Sequence, residues 1–304
     1  MGAMLQQIVA AVTTTEGEPP DAVVLTHPAN WGPYKLERFS QVFQLGGLPT
    51  GQILAEPLAA AQHYLGEHSA EVHDTIVVFD FGGGTFDAAV LRRQGAGFEL
   101  LGQARGFEQL GGIDFDEAIL RHVTTTAGID LQLVEDTPSS RSAIDRLRHD
   151  CVAAKETLSD DTVVVIPVML PDHHTEVRLN RTEFEAMIRP SVPDAVTLLE
   201  TTIAEAGLQP TDIDAVLLVG GTSRIPLVSQ ILTSRLNRPV LSDLHPKHAV
   251  AMGAAAHAPP PLGALADQAS AEDSVTDQPI TIAPTESPPT GTAEVAPTTM
   301  SARP

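Results

Sequence analysis

One cysteine stands in 304 residues, which excludes an intramolecular disulfide and any multi-cysteine metal site. Basic residues are scarce as well: 18 Lys and Arg face 39 Asp and Glu, for a formal charge of −21. That deficit disfavours binding through phosphate-backbone attraction, so nucleic acid is not an expected partner, and anionic membrane surfaces are disfavoured for the same reason. No apolar run approaches the roughly 18 residues of a transmembrane helix. No basic residue precedes Lys35, so the start lacks the charged region of a secretory signal. Met1-Gly2 has the form of a myristoylation start, but position 6 is Gln rather than Ser or Thr. The expected location is cytoplasmic.

What is present divides near Ala258. From there to Pro304 a single basic residue, Arg303, meets six acidic ones, and nine of the 24 prolines fall in this stretch. A segment so poor in apolar residues cannot offset its ordering entropy, which predicts a disordered tail over 258–304. Before the tail, helical and extended patterns alternate. Leu5, Ile8, Val9 and Val12 recur at helical spacing, and 22–26 reads as a short buried strand. Leu36, Phe39 and Phe43 mark a helix that Pro33 can start, with Trp31 and Tyr34 expected at its head. Pro57 opens an alanine-rich helix through Leu65. The β-branched run 75–79 and the apolar run 88–91 flank a glycine turn as hairpin partners. Leu147, Cys151, Ala154 and Leu158 form one stripe of a long helix, which predicts that Cys151 is a packed small hydrophobe. A strand is expected over 162–170, with His173 and His174 at an exposed hairpin tip. Phe184, Ile188, Val192, Val196, Leu199 and Ile203 read as a single longer helical stripe, with Asn180 and Glu183 as its capping pair. A buried strand over 215–219 precedes a helix carrying Val228, Ile231 and Leu232. This mixture predicts an α/β architecture with more than one lobe.

Two glycine-rich turns carry the chemistry. The first, Asp80-Phe81-Gly82-Gly83-Gly84-Thr85-Phe86-Asp87, directly follows a predicted strand. Its glycines let backbone approach a ligand closely, and a tight turn of this kind can aim several N–H groups into one concavity suited to phosphate. Thr85 adds a hydroxyl, and Asp80 is placed to hold a metal ion or its water shell, as Mg²⁺ prefers beside phosphates. The second turn, Gly220-Gly221-Thr222-Ser223-Arg224-Ile225-Pro226, ends the strand over 215–219. Ligand crevices commonly lie beyond the carboxyl ends of such strands. Flat Gly-Gly backbone suits a nucleoside, and the Arg224 guanidinium can stack on a base.

Two such turns in one chain bring a family resemblance into view. Over roughly residues 1–257 the sequence resembles the nucleotide-binding domain of DnaK-type (heat-shock-protein-70) chaperones, within the actin and sugar-kinase ATPase superfamily. The matching stretches fall in family order: Val24 to Ala29, Ile53 to Ala61, Asp80 to Asp87, Leu110 to Asp116, Ala154 to Ser159, Gly220 to Pro226 and Ala249 to Ala255. The resemblance implies an actin-like ATPase (ribonuclease H-like) fold that holds ATP or ADP with Mg²⁺. It implies that Gly82, Gly83, Gly84 and Thr85 hold the β- and γ-phosphates. Asp80 and Glu56 would orient the magnesium waters and the attacking water, and Asp87 would help place a monovalent cation. Gly112, Lys155, Ser159, Gly221, Arg224 and Ile225 would surround ribose and base. A co-chaperone or nucleotide-exchange partner is implied as well. Phosphoryl transfer is mainly positioning and charge stabilisation, which agrees with these roles.

The resemblance also has gaps. The family's earlier phosphate loop, of Asp-x-Gly-Thr type, and its later γ-phosphate lysine have no counterpart in these residues. That implies a first lobe truncated to a remnant over 1–70, a complete second lobe over 71–242 and a helix over 243–257 returning to the first. Hydrolysis is expected to be weak or absent, since one lost charge-stabilising donor costs about 10²–10³ in rate. Apolar faces of the remnant should be partly exposed. Near the nucleoside, Val152, Glu156 and Lys247 stand where the family has an acidic, a basic and an acidic residue. With the tail in that place, no β-sandwich peptide-binding segment is expected. The competing expectation is a non-catalytic interaction module, with the lobe as scaffold and the tail recruiting a partner.

Overall fold

The computed structural model describes residues 1–48, 51–67, 73–95, 97–171, 173–242 and 247–258. The chain opens with α1 (Gly2–Glu16), β1 (Val24–His27), α2 (Pro33–Leu45), β2 (Gln52–Ala55) and α3 (Glu56–Glu67). It continues through β3 (Thr75–Phe81), β4 (Phe86–Gln94), β5 (Gly97–Phe107), α4 (Gly112–Ala127), α5 (Pro138–Asp160), β6 (Val163–Leu170) and β7 (His173–Asn180). It closes with α6 (Arg181–Ile188), α7 (Val192–Glu205), β8 (Ala215–Val219), α8 (Pro226–Leu236), β9 (Val240–Ser242) and α9 (Ala249–His257). The tail expected over 258–304 lies outside the described residues except for Ala258.

A mixed five-stranded sheet in the order β5-β4-β3-β8-β9 organises the fold. β5, β4 and β3 pair antiparallel, whereas β3, β8 and β9 run parallel. The middles of its central strands, 76–79 of β3 and 215–219 of β8, are apolar because both sheet faces are covered there. Val77, Phe79 and Phe81 of β3, with Val216 and Leu218 of β8, join one core with α4, α5, α6, α7 and α8. Ile76 and Val78, with Ala215, Leu217 and Val219, face the opposite side against Ala60, Ala61 and Tyr64 of α3. This is the period-two alternation of a strand. An antiparallel hairpin, β6-β7, and a parallel pair, β1-β2, form separate small sheets.

Local chemistry explains most boundaries. Pro33 starts α2, and Pro138 follows Thr137, whose hydroxyl accepts the Ser140 N–H at 3.1 Å. Asn180 and Glu183 form the expected reciprocal cap, each side chain accepting the other's backbone N–H at 2.9 Å. The expected long stripe from Phe184 to Ile203 is instead two helices, α6 and α7, broken at 189–191. Pro190 lacks the N–H that a continuous helix needs, while Pro193 suits the first turn of the new one. All six apolar residues of the stripe are nonetheless buried. Cys151 is buried on α5 as expected, and burial pushes its thiol up to about 12. At the head of α2, Trp31 packs edge-on against Phe39 at 5.3 Å and stacks on His27, while Tyr34 in the first turn stays 69% exposed.

The segment before β3 is more thinly covered. Leu5, Val42 and Phe43 form a small buried cluster, yet Ile8 and Val12 of the expected α1 stripe are exposed. α9 packs on α3 and also touches β1.

Candidate functional site

The first glycine turn joins β3 to β4, with Asp80 and Asp87 directly opposite each other in the hairpin register. The Gly82 N–H donates to the Thr85 carbonyl at 2.9 Å, which closes the turn. The start of α4 braces it from behind: the N–H groups of Gly112 and Ile113 donate to the carbonyls of Gly82 and Gly83 at 3.1 and 2.7 Å. Among the described residues no peptide bond is cis. In a trans peptide the N–H points opposite to the preceding carbonyl. The N–H groups of Gly83 and Gly84 are therefore turned away from α4, as a phosphate cradle requires.

The second turn is brought beside the first by strand pairing. Asp80 lies opposite Val219 in the parallel register of β3 and β8, so both strands end at one sheet edge. Gly220 turns the chain with φ +82, and a side chain there would collide with the Phe81 carbonyl and the Asp80 carboxylate. Only glycine satisfies both conditions. A short 3₁₀ turn, Gly221–Arg224, follows, and Pro226 opens α8.

Between these turns lies a cavity of about 860 Å³. Of the expected site residues, Glu56, Asp80, Gly82, Gly83, Thr85, Lys155, Ser159, Gly221, Arg224 and Ile225 line it together. Gly84, Asp87 and Gly112 do not. Asp87 instead lines a small adjoining space with Glu56 and Asp80, and Gly112 lies behind the first turn. Thr157, Asp160, Thr222 and Val250, given no role by the sequence, also form the wall, as do Glu156 and Lys247, which the resemblance had placed near the nucleoside. Asn30 was missed too; it donates to the Asp87 carboxylate at 3.2 Å from 57 residues away.

Three carboxylates crowd the end of the cavity near α3. Desolvation, with the charges of Glu56 and Asp87, pushes Asp80 up to about 7. Burial, with the Glu108 charge, lifts Asp87 to about 6, and burial with Asp87 raises Glu56. Such a group gains by accepting a cation, so the donor chemistry fits a hard divalent ion with oxygen ligands.

The cationic side chains lining the cavity all have anionic partners. Lys155 bonds Asp116 at 2.8 Å and the Gly112 carbonyl at 3.0 Å, both from mostly buried positions. Lys247 bonds Glu156 at 2.8 Å, and Arg224 stands 3.6 Å from Asp160. The Lys247 stem lies over Gly221, at the floor expected for a base.

Comparison with known proteins agrees with this geometry. The sequence model of the family described as Hsp70 protein matches residues 1–268. "Chaperone protein dnaK3" of Synechococcus elongatus is 34% identical over 267 residues, covering 84% of this chain and 34% of that protein. "Chaperone protein DnaK" of Thermus thermophilus is 32% identical over 276 residues, covering 87% of this chain and 43% of that protein. The chain thus spans about a third to two fifths of the length of these relatives. With a family match over most of its length, and both family turns facing one cavity, the chain belongs to the Hsp70 family and has its actin-like ATPase fold.

Proposed function

We propose that the chain binds ATP or ADP with Mg²⁺ as a chaperone-type nucleotide-binding domain and by itself hydrolyses ATP weakly or not at all. The observation that carries this is the convergence of Gly82, Gly83 and Thr85 with Gly221, Arg224 and Ile225 on one cavity. Phosphates would lie against the first turn and the nucleoside against the second. Asp80 and Glu56 would hold the ion through its waters, and Asp87 would hold a monovalent cation. Mg²⁺ would supply neutralisation of phosphate charge beside these carboxylates.

Weak hydrolysis is supported by the charge inventory. The three cations lining the cavity are engaged by Asp116, Glu156 and Asp160. Phosphoryl transfer depends on positioned positive charge near the transferred group. Cytoplasmic location and contact with a co-chaperone or exchange partner follow from the family and belong to the same proposal. Among the described residues no helix is long and apolar enough to cross a membrane.

Titration calorimetry of the folded chain with ATP–Mg²⁺ and ADP–Mg²⁺ tests the proposal. Heat saturating below millimolar nucleotide is expected. A folded sample that gives none rejects nucleotide binding, and turnover at the rate of an intact ATPase rejects the catalytic half.

A further inference from the structure

We infer that Thr222 is a positioning residue: its hydroxyl fixes the orientation of the Gly82–Gly83 peptide, and so the amide that the first turn offers to phosphate. This rests on the nucleotide reading above and names how the two halves of that site are joined. Thr222 is only 4% exposed, and its Oγ1 donates to the Gly82 carbonyl at 2.7 Å across 140 residues of sequence. The same carbonyl accepts the Gly112 N–H at 3.1 Å. Two donors from different elements thus converge on one oxygen, one from the second turn and one from α4.

The geometry gives the consequence. A planar peptide moves as one body, so fixing the Gly82 carbonyl also fixes the Gly83 N–H on its other side. The flanking residues cannot do this themselves, because glycine leaves φ and ψ free. Bonds to Thr85 and Ile113 hold the peptides on either side, but on the Gly82 carbonyl itself the Gly112 N–H would be the one remaining donor. The Thr222 bond adds a second donor to that oxygen and ties the phosphate side to the nucleoside side. The Gly112 carbonyl is in turn held by Lys155, which is held by Asp116, so the brace is anchored in α4 and α5. Preorganised donors of this kind need no reordering when charge arrives.

The test compares Thr222→Val, which keeps shape and loses the donor, with Thr222→Ser, which keeps the donor. Hydrogen exchange of the Gly112 and Ile113 amides, which donate to the turn, in the ligand-free chain is the first readout. Faster exchange in the Val variant, restored in the Ser variant, is expected. The second readout is the ratio of ADP–Mg²⁺ affinity to adenosine affinity. The Val variant should lose about tenfold on ADP–Mg²⁺ and little on adenosine, as expected when one buried hydrogen bond is removed. Unchanged exchange at 112 and 113, with unfolding midpoints intact, overturns the inference whether or not nucleotide binds. Equal loss on both ligands also overturns it, since Thr222 would then serve the nucleoside or the fold at large. Should the wild-type chain bind neither ligand while exchange responds, the brace stands and the nucleotide reading falls.

Discussion

Gly253 of α9 lies against the backbone carbonyl of Ala59 on α3, so close that a methyl group on Gly253 would overlap it. Ala ordinarily stabilises a helix by about 1 kcal/mol over Gly. Here the obstacle is backbone, which cannot rotate aside as a side chain can, and overpacking costs about 1–3 kcal/mol. Gly253→Ala is therefore expected to lower the urea midpoint, for a net destabilisation of up to about 2 kcal/mol. Met252→Ala, at a neighbouring position that is 43% exposed, should change it little. Equal effects would show that the two helices do not meet at Gly253.

Lys155 and Lys247 allow two ion pairs of equal length to be compared. Both nitrogens stand 2.8 Å from a carboxylate oxygen, yet Lys155 and Asp116 are 14% and 18% exposed, against 57% and 55% for Lys247 and Glu156. Removing one partner of a buried pair costs about 3–5 kcal/mol, whereas exposed pairs are worth about 0–1. Lys155→Met should destabilise the chain by several kcal/mol in denaturant titration and Lys247→Met by less than 1. Adding Asp116→Leu to the first should recover part of the loss, because it removes the stranded charge.

Asp80 predicts a pH dependence with a definite sign. Its carboxyl is raised from 3.8 to about 7, so the folded chain holds a proton that the unfolded chain has released between those values. Stability therefore falls as pH rises through that window, and the deficit is complete above it. Each tenfold change in proton affinity corresponds to about 1.4 kcal/mol, so the deficit is at most on the order of 4 kcal/mol. With chelator present and no metal, Asp80→Asn should raise the melting temperature more at pH 8 than at pH 5. A gain of the same size at both values would contradict the assignment.

Phe81 contacts Phe79, Phe86 and Phe115 with ring centroids 5.9, 5.6 and 5.7 Å away. Phe115 is in the first turn of α4, the helix that braces the phosphate side. Phe81→Ala should cost about 3–5 kcal/mol. It should also speed amide exchange at 112–115 before the rest of α4, measurable by mass spectrometry.

Much of this was legible in the chain because the signals are local. The apolar runs before Gly82 and Gly220 are strands buried on both faces, and a run of that kind needs no partner to be recognised. The Asn180–Glu183 cap spans four residues and is written in them. Contacts across long sequence separations were not legible. β5 is largely half-exposed and interrupted by three glycines, and its extended form comes from pairing with β4. The division into α6 and α7 could have been seen at Pro190, where the apolar period runs on but the backbone donor stops. Thr222 and Asn30 reach partners 140 and 57 residues away, which no spacing rule encodes.

The lone thiol has a consequence for how copies of this chain meet. Cys151 sits within the packed stripe of α5, and burial keeps its sulfur protonated well beyond neutral pH. Thiolate is the form that attacks oxidants and other sulfurs. While α5 stays seated against β6 and α4, oxidising conditions therefore have no handle with which to crosslink two molecules, and covalent dimers would mark chains that had already come apart.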